Sequence, residues 1–285
     1  MVETAPDSIR NDPGGHVANP YFDKNPAFNA RGGAVPSVPG GTTTAPGTVD
    51  AATLEAMYKS PSATSAQTGR MTYDDVIVRT GSLLAVLVAV GAVTYAITPQ
   101  APWVWIVGMF VGLGLGLTNA FKKVPSPALI LAYGVAQGAF LGGISRMYED
   151  FYDGVVLQAV LATVATFAAT LILFRSGKVR VTPKFTRWLL VAMGGYLIFS
   201  LVNLVLVWTG VLGGWGMRGG PLGVIIGVVA VAMAAASLLI DFDSIKRGVE
   251  RGVPARFAWA AAFGLVVTLV WLYVEFLRLL SILRN

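Results

Sequence analysis

The chain has 285 residues, of which 55% are hydrophobic and 13% charged, with a formal net charge of +6. A soluble domain carries about a quarter charged residues, so half that share excludes a soluble monomer. There is no Cys and the one histidine is His16, which excludes disulfides, thiolate chemistry, Cys- or His-based metal centres and a Ser–His–Asp triad. A basic balance speaks to association, not to fold. The Lys and Arg residues flank apolar runs, so no nucleic-acid partner is expected.

Residues 1–70 read as a disordered cytoplasmic tail. Gly, Pro, Ser, Thr, Ala and Asn dominate it, and such a composition buries too little surface to offset the entropy of ordering. No apolar core follows a basic start, so a secretory signal is not expected. The tail repeats Asn19-Pro20-Tyr21-Phe22 as Asn25-Pro26-Ala27-Phe28, which is either a docking motif or, preferably, a chance recurrence in a low-complexity segment. Val49 to Tyr58 reads as a short amphipathic helix at the membrane surface, with Leu54, Met57 and Tyr58 on one side.

Residues 71–285 then read as a seven-helix transmembrane domain. The expected spans are about 76–97, 103–121, 127–145, 155–174, 188–209, 221–240 and 257–283, each near the ~20 residues that a bilayer core requires. Helices are the form in which a span satisfies its backbone in lipid. Thr72, just ahead of Asp74 and Asp75, reads as the first N-cap. Gly108, Gly112 and Gly116 in span two, and Gly134, Gly138 and Gly142 in span three, recur every four residues and so let helix backbones approach closely.

Orientation follows from loop charge. The loops after spans two, four and six hold eleven Lys and Arg residues: Lys122, Lys123, Arg175, Lys178, Arg180, Lys184, Arg187, Lys246, Arg247, Arg251 and Arg256. The opposite loops hold two, Arg146 and Arg218. The expectation is a multi-pass protein of the plasma membrane with its N-terminus in the cytoplasm. Arg79, one turn into span one, is expected to snorkel to the cytoplasmic interface.

Carboxylates inside lipid are costly and tend to be functional. Of fifteen acidic residues, eight precede span one. Glu149, Asp150 and Asp153, with Tyr148 and Tyr152, read either as an acidic outer rim that attracts cations or, preferably, as a solvated loop. Asp241, Asp243 and Glu250 follow span six, and Glu275 alone falls inside a hydrophobic span. Asp241 closes the apolar run ending at Ile240, where it can gate a path or simply face cytoplasmic water. Glu275 either works as a membrane carboxylate or is neutralised by Arg278 three residues on. Asn119, Gln137, Gln158 and Asn203 are expected to be buried amides.

The segments Ile240-Asp241-Phe242-Asp243-Ser244-Ile245-Lys246 and Trp271 to Leu283 resemble the Bax inhibitor-1 family, in particular its bacterial branch with a long N-terminal tail. The likeness covers roughly residues 70–285, with Asp241 and Ile245 matching the end of the family's sixth span and Leu272-Tyr273-Val274-Glu275 its seventh. What the resemblance implies is an all-α bundle around a central last helix. Asp241 and Glu275 would be a pH-sensitive latch on a cation leak, chiefly for calcium. A carboxylate pair suits that work, since like charges share a proton and hard oxygens suit Ca²⁺. Asp243, Arg278, Lys122 and Lys123 are possible supporting residues, the two lysines standing where the family has a basic partner.

Spacing strains the pairing. Asp241 and Glu275 lie 34 positions apart, wider than the resemblance implies. With a turn near Gly252–Pro254, the residue facing Asp241 is about Val266. Glu275 then sits nine residues deeper, or ~13 Å at 1.5 Å per residue. Either Glu275 is a separate carboxylate paired with Arg278, or residues 247–258 form extra structure that closes the gap; the second is preferred. The expected function is a pH-sensitive cation leak with bilayer, Ca²⁺ and H⁺ as partners and no resident cofactor. The alternative is a non-conducting scaffold that binds another membrane protein of unknown identity. Enzymatic activity is not expected. An intramembrane aspartyl protease would need two aspartates within spans, and a retinal protein a lysine midway along the last span.

Overall fold

The structure is a computed structural model, and it describes residues 69–214 and 216–284. The Asn-Pro repeat and the short helix expected over Val49–Tyr58 lie outside the described residues. Seven helices are long and apolar enough to cross a membrane. They are α1 (Tyr73–Ile97), α2 (Trp103–Phe121), α3 (Pro127–Phe151), α4 (Val155–Arg175), α5 (Pro183–Trp208), α6 (Gly220–Glu250) and α7 (Ala258–Leu283). Two 3-10 turns, Gly216–Arg218 and Ala255–Phe257, precede α6 and α7.

Side chains meet the free backbone N–H groups at the start of α1, α4 and α5. Thr72 caps α1 in a capping box: its hydroxyl accepts from the Asp75 N–H, and the Asp75 carboxylate accepts from the Thr72 N–H, both at 3.1 Å. α5 begins five residues before the expected Trp188, because Thr182 accepts from the Phe185 N–H and Pro183 takes the first turn. Glu149 belongs to a cap, not to an open acidic rim. Its carboxylate bridges the N–H groups of Gly154 (2.6 Å) and Val156 (3.0 Å) at the start of α4.

The glycine stripes set the core. A Cβ on Gly108 would stand 2.8 Å from the Phe140 nitrogen, and one on Gly138 2.5 Å from the Leu87 carbonyl oxygen. A Cβ on Gly142 would overlap the Gly91 carbonyl. Gly108 and Gly112 of α2 therefore seat against α3, while Gly138 and Gly142 of α3 seat against α1. α7 is central, packing on α1, α3, α4 and α6. α5 lies outermost, with Trp188, Val191, Ile198 and Leu204 facing the surrounding hydrocarbon and one inward row of Leu189, Met193, Tyr196, Ser200 and Asn203 at helical spacing.

The α6–α7 turn is where the structure departs most from the sequence expectation. α6 does not end at Ile240 but runs on to Glu250, so Asp241 sits within a continuous helix. The chain turns at Arg251–Pro254, and the short 3-10 turn Ala255–Phe257 leads directly into α7. Gly69 and Arg70, assigned by sequence to the tail, pair with this turn. Arg70 bridges Pro254, the Ala255 N–H donates to the Gly69 carbonyl at 2.8 Å, and the Met71 N–H donates to the Val253 carbonyl at 2.7 Å. Arg79 does more than snorkel: its guanidinium donates to the Ala255 carbonyl, ion-pairs with Asp75 at 3.3 Å and lies over the Trp259 ring.

Candidate functional site

Four residues of α7, Gly264, Thr268, Trp271 and Glu275, follow one another at spacings of four, three and four, so they share one ridge of the helix. Asp241 of α6 meets the Gly264–Thr268 half of that ridge. Thr268 donates to its carboxylate at 2.7 Å, and the carboxylate lies against Gly264, where a Cβ would sit 3.9 Å from its oxygen. These two residues bracket Val266, the partner position that antiparallel counting gives. Among the described residues no ion pair reaches Asp241. Its carboxylate instead borders a cavity of about 330 Å³ lined by Met71, Ser244, Ile245, Gly248, Val253, Phe257 and Gly264. Met71 covers this cavity, buried with its methyl end against Gly248.

Glu275 occupies the other end of the ridge and has different company. It is 4% exposed, and Arg278 is 5% exposed. Arg278 grips both carboxylate oxygens, donating to Oε1 at 3.3 Å and ion-pairing with Oε2. The Tyr196 hydroxyl donates to Oε1 at 2.5 Å and the Trp271 indole N–H at 3.3 Å. Arg218 enters from the α5–α6 connection. It lies 3.7 Å from Oε1, donates to the Tyr196 hydroxyl and to Ser200 (3.0 Å), and stacks 4.9 Å from the Tyr196 ring centre. Burial first, and the Arg278 charge second, push the Arg218 pKa below its ordinary value. Two guanidiniums thus share one carboxylate, and the Nε–H of each is buried without an acceptor among the described residues.

Asp241 and Glu275 therefore do not form a pair. Thr268 lies seven residues before Glu275, about 10 Å along the helix at 1.5 Å per residue, and the preferred reading of a folded 247–258 segment closing the gap is overturned. A calcium ion held jointly by both carboxylates has no geometry here, and among the described residues no group of three metal-ligating side chains converges. Trp271, between Thr268 and Glu275 on α7, packs with Met193, Tyr196, Ala236 and Ile240 against an apolar cluster of Leu189, Ala230 and Met233. A polar stripe on α6 runs alongside, with Ser237 one turn before Asp241 and its hydroxyl 3.3 Å from the Met193 sulfur.

The supporting residues divide. Arg278 is part of the Glu275 site. Asp243 faces away from Asp241 and ion-pairs with Arg247 at 2.5 Å. Lys122 and Lys123 are exposed beyond α2, a helix that packs on α3, and meet neither carboxylate. Of the amides, Asn119 ties α2 to Leu129 and Asn203 accepts from the Met217 N–H at 2.7 Å, whereas Gln158 is exposed on the first turn of α4. Tyr196, Ser200 and Arg218 escaped sequence reasoning. The one signal for them is the polar stripe Tyr196, Ser200, Asn203 in the otherwise apolar run from Trp188 to Trp208.

No curated protein matches the chain. A family model described as Bax inhibitor 1 like matches residues 19–285, taking in the seven spans, both carboxylate positions and the Asn-Pro repeat; the chain belongs to this family of multi-pass membrane proteins.

Proposed function

We propose that the protein is a pH-sensitive cation leak, chiefly for calcium, in the plasma membrane, with a cytoplasmic N-terminus and with Asp241 as the carboxylate that cations meet from the cytoplasm. The observation that carries this is the placement of Asp241: it borders a cavity, with Thr268 as its hydrogen-bond partner and no ion-pair partner among the described residues. An intramembrane carboxylate without a counter-ion attracts cations, and it loses that attraction on taking a proton. A single carboxylate and a hydroxyl fall far short of the 6–8 oxygens of a storage site for Ca²⁺. Such weak ligation suits passage, which needs binding that is easily left. The orientation rests on the eleven-to-two division of Lys and Arg between the two sets of loops.

The test is Ca²⁺ flux in liposomes holding the full chain, measured across a pH series. Leak is expected to fall as the cytoplasmic face is acidified, and Asp241→Asn is expected to flatten that profile. Flux no greater than in empty liposomes at every pH would favour the non-conducting scaffold. Flux with an unchanged profile in Asp241→Asn would remove Asp241 from the mechanism and keep the leak.

A further inference from the structure

We propose that Glu275, Tyr196 and Ser200 form a cation site at the outer end of the bundle, and that Arg218, a guanidinium tethered to the α5–α6 connection, is its resident and closes it to free cations. The part of this that concerns closure rests on the leak reading above; the site itself does not.

The surroundings of Arg218 are those of a guanidinium receptor. A carboxylate oxygen lies 3.7 Å away, an aromatic face 4.9 Å from the guanidinium carbon, and hydroxyls of Tyr196 and Ser200 accept its N–H groups. A carboxylate, a ring face and planar-facing acceptors are what a guanidinium selects over a compact ammonium ion. The receptor is also held in shape without Arg218, because Arg278 and the Trp271 indole fix the Glu275 carboxylate from α7 itself.

Arg218 is the surplus cation. Arg278 already neutralises Glu275 by an intrahelical pair, so Arg218 adds an uncompensated charge to a buried cluster. Burying such a charge is unfavourable, and fit to the receptor, not neutrality, keeps it there. A resident held that way can leave. The tether permits it, since Gly214, Gly216 and Gly220 around Arg218 all adopt positive φ, at 57°, 61° and 60°, and glycine moves among backbone states at little steric cost. When docked, the same tether is seated on α5, where the Met217 N–H meets Asn203.

Chemical rescue tests this. Arg218→Ala, purified as the full chain, leaves a guanidinium-sized space with Glu275, Tyr196 and Ser200 in place. Millimolar methylguanidinium is expected to raise its melting temperature, and to leave the parent protein and the double variant Arg218→Ala/Tyr196→Ala unmoved. In liposomes, Arg218→Ala is expected to raise the leak on the order of tenfold, as a modest shift in an open–closed equilibrium does, and external methylguanidinium to reverse the rise. Arg218→Lys is expected to restore closure only in part. A monodisperse Arg218→Ala protein whose melting and leak both ignore methylguanidinium would overturn the assignment. Stabilisation without any leak in parent or variant would support the cation site and sink the leak reading. A raised leak indifferent to methylguanidinium in both assays would do the reverse.

Discussion

Asp241 and Glu275 sit on the same ridge of contacts, yet the two ends have opposite electrostatics. At the Gly264–Thr268 end a carboxylate with one hydroxyl partner borders a cavity. At the Glu275 end a carboxylate is bound by two guanidiniums, a phenol and an indole, and is shut from solvent. Trp271 lies between them along α7 and packs against an apolar cluster. The difference teaches what each carboxylate is for. Among the described residues the first carboxylate has no cationic partner, and the second is held by two cations that belong to the fold.

The largest effect should come from removing the saturated charge. Glu275→Gln leaves Arg278 and Arg218 buried without their carboxylate, and breaking one partner of a buried pair costs about 3–5 kcal/mol. Asp241→Asn strands no cation and keeps an acceptor for Thr268, so its cost should stay below about 1 kcal/mol. Unfolding of the two variants in a mixed-micelle denaturant titration measures both. Equal losses would erase the distinction between the ends. A partial recovery in Glu275→Gln/Arg278→Met would tie the loss to stranded charge, not to packing.

Much of the fold was legible because its determinants are local. Thr72 and Asp75 are a capping box in the sequence, and the four-residue glycine spacing of α2 and α3 reads directly as close helix contact. Gly142→Val probes that stripe: its side chain would run into the Gly91 backbone, and overpacking of this kind costs about 1–3 kcal/mol. What the apolar runs do not disclose is of two kinds. The charges from Asp241 to Glu250 read as the end of a helix. The helix continues because Lys246–Glu250 and Asp243–Arg247 are spaced to support a solvated α6. Arg218 counted as an outer loop charge, and nothing in its neighbours along the chain says that it turns inward onto α5 and α7.

Thr268→Val tests the Asp241 end at a finer scale. It keeps the shape of the side chain and removes the hydroxyl that donates to Asp241. A hydrogen bond to a charged acceptor is worth about 1.5–3 kcal/mol to the charged form, so the variant should protonate Asp241 more readily. The expected result is a leak profile displaced toward higher pH, with leak lost earlier as the medium is acidified. Thr268→Ser, which retains the donor, should leave the profile where it was. A profile unmoved by Thr268→Val would mean that the hydroxyl fixes side-chain orientation without tuning the charge.

The smallest effect belongs to Asp243, two residues from Asp241 and roughly 200° around the helix at 3.6 residues per turn. It ion-pairs with Arg247 at 2.5 Å, and the arginine is about half exposed. Solvent-exposed pairs contribute about 0–1 kcal/mol, so Asp243→Asn should barely change unfolding. Its bearing on flux is more informative than its bearing on stability. If a leak simply follows negative charge near the cytoplasmic mouth, Asp243→Asn should lower it about as much as Asp241→Asn does. If the leak depends on a carboxylate that borders the cavity and lacks a cation, Asp243→Asn should keep both the rate and the pH profile. Asp243 is already neutralised by Arg247 and points away from the cavity lining, which favours the second outcome. Parallel flux series on the two variants would separate them, because the substitutions remove the same charge and differ only in which side of α6 they face.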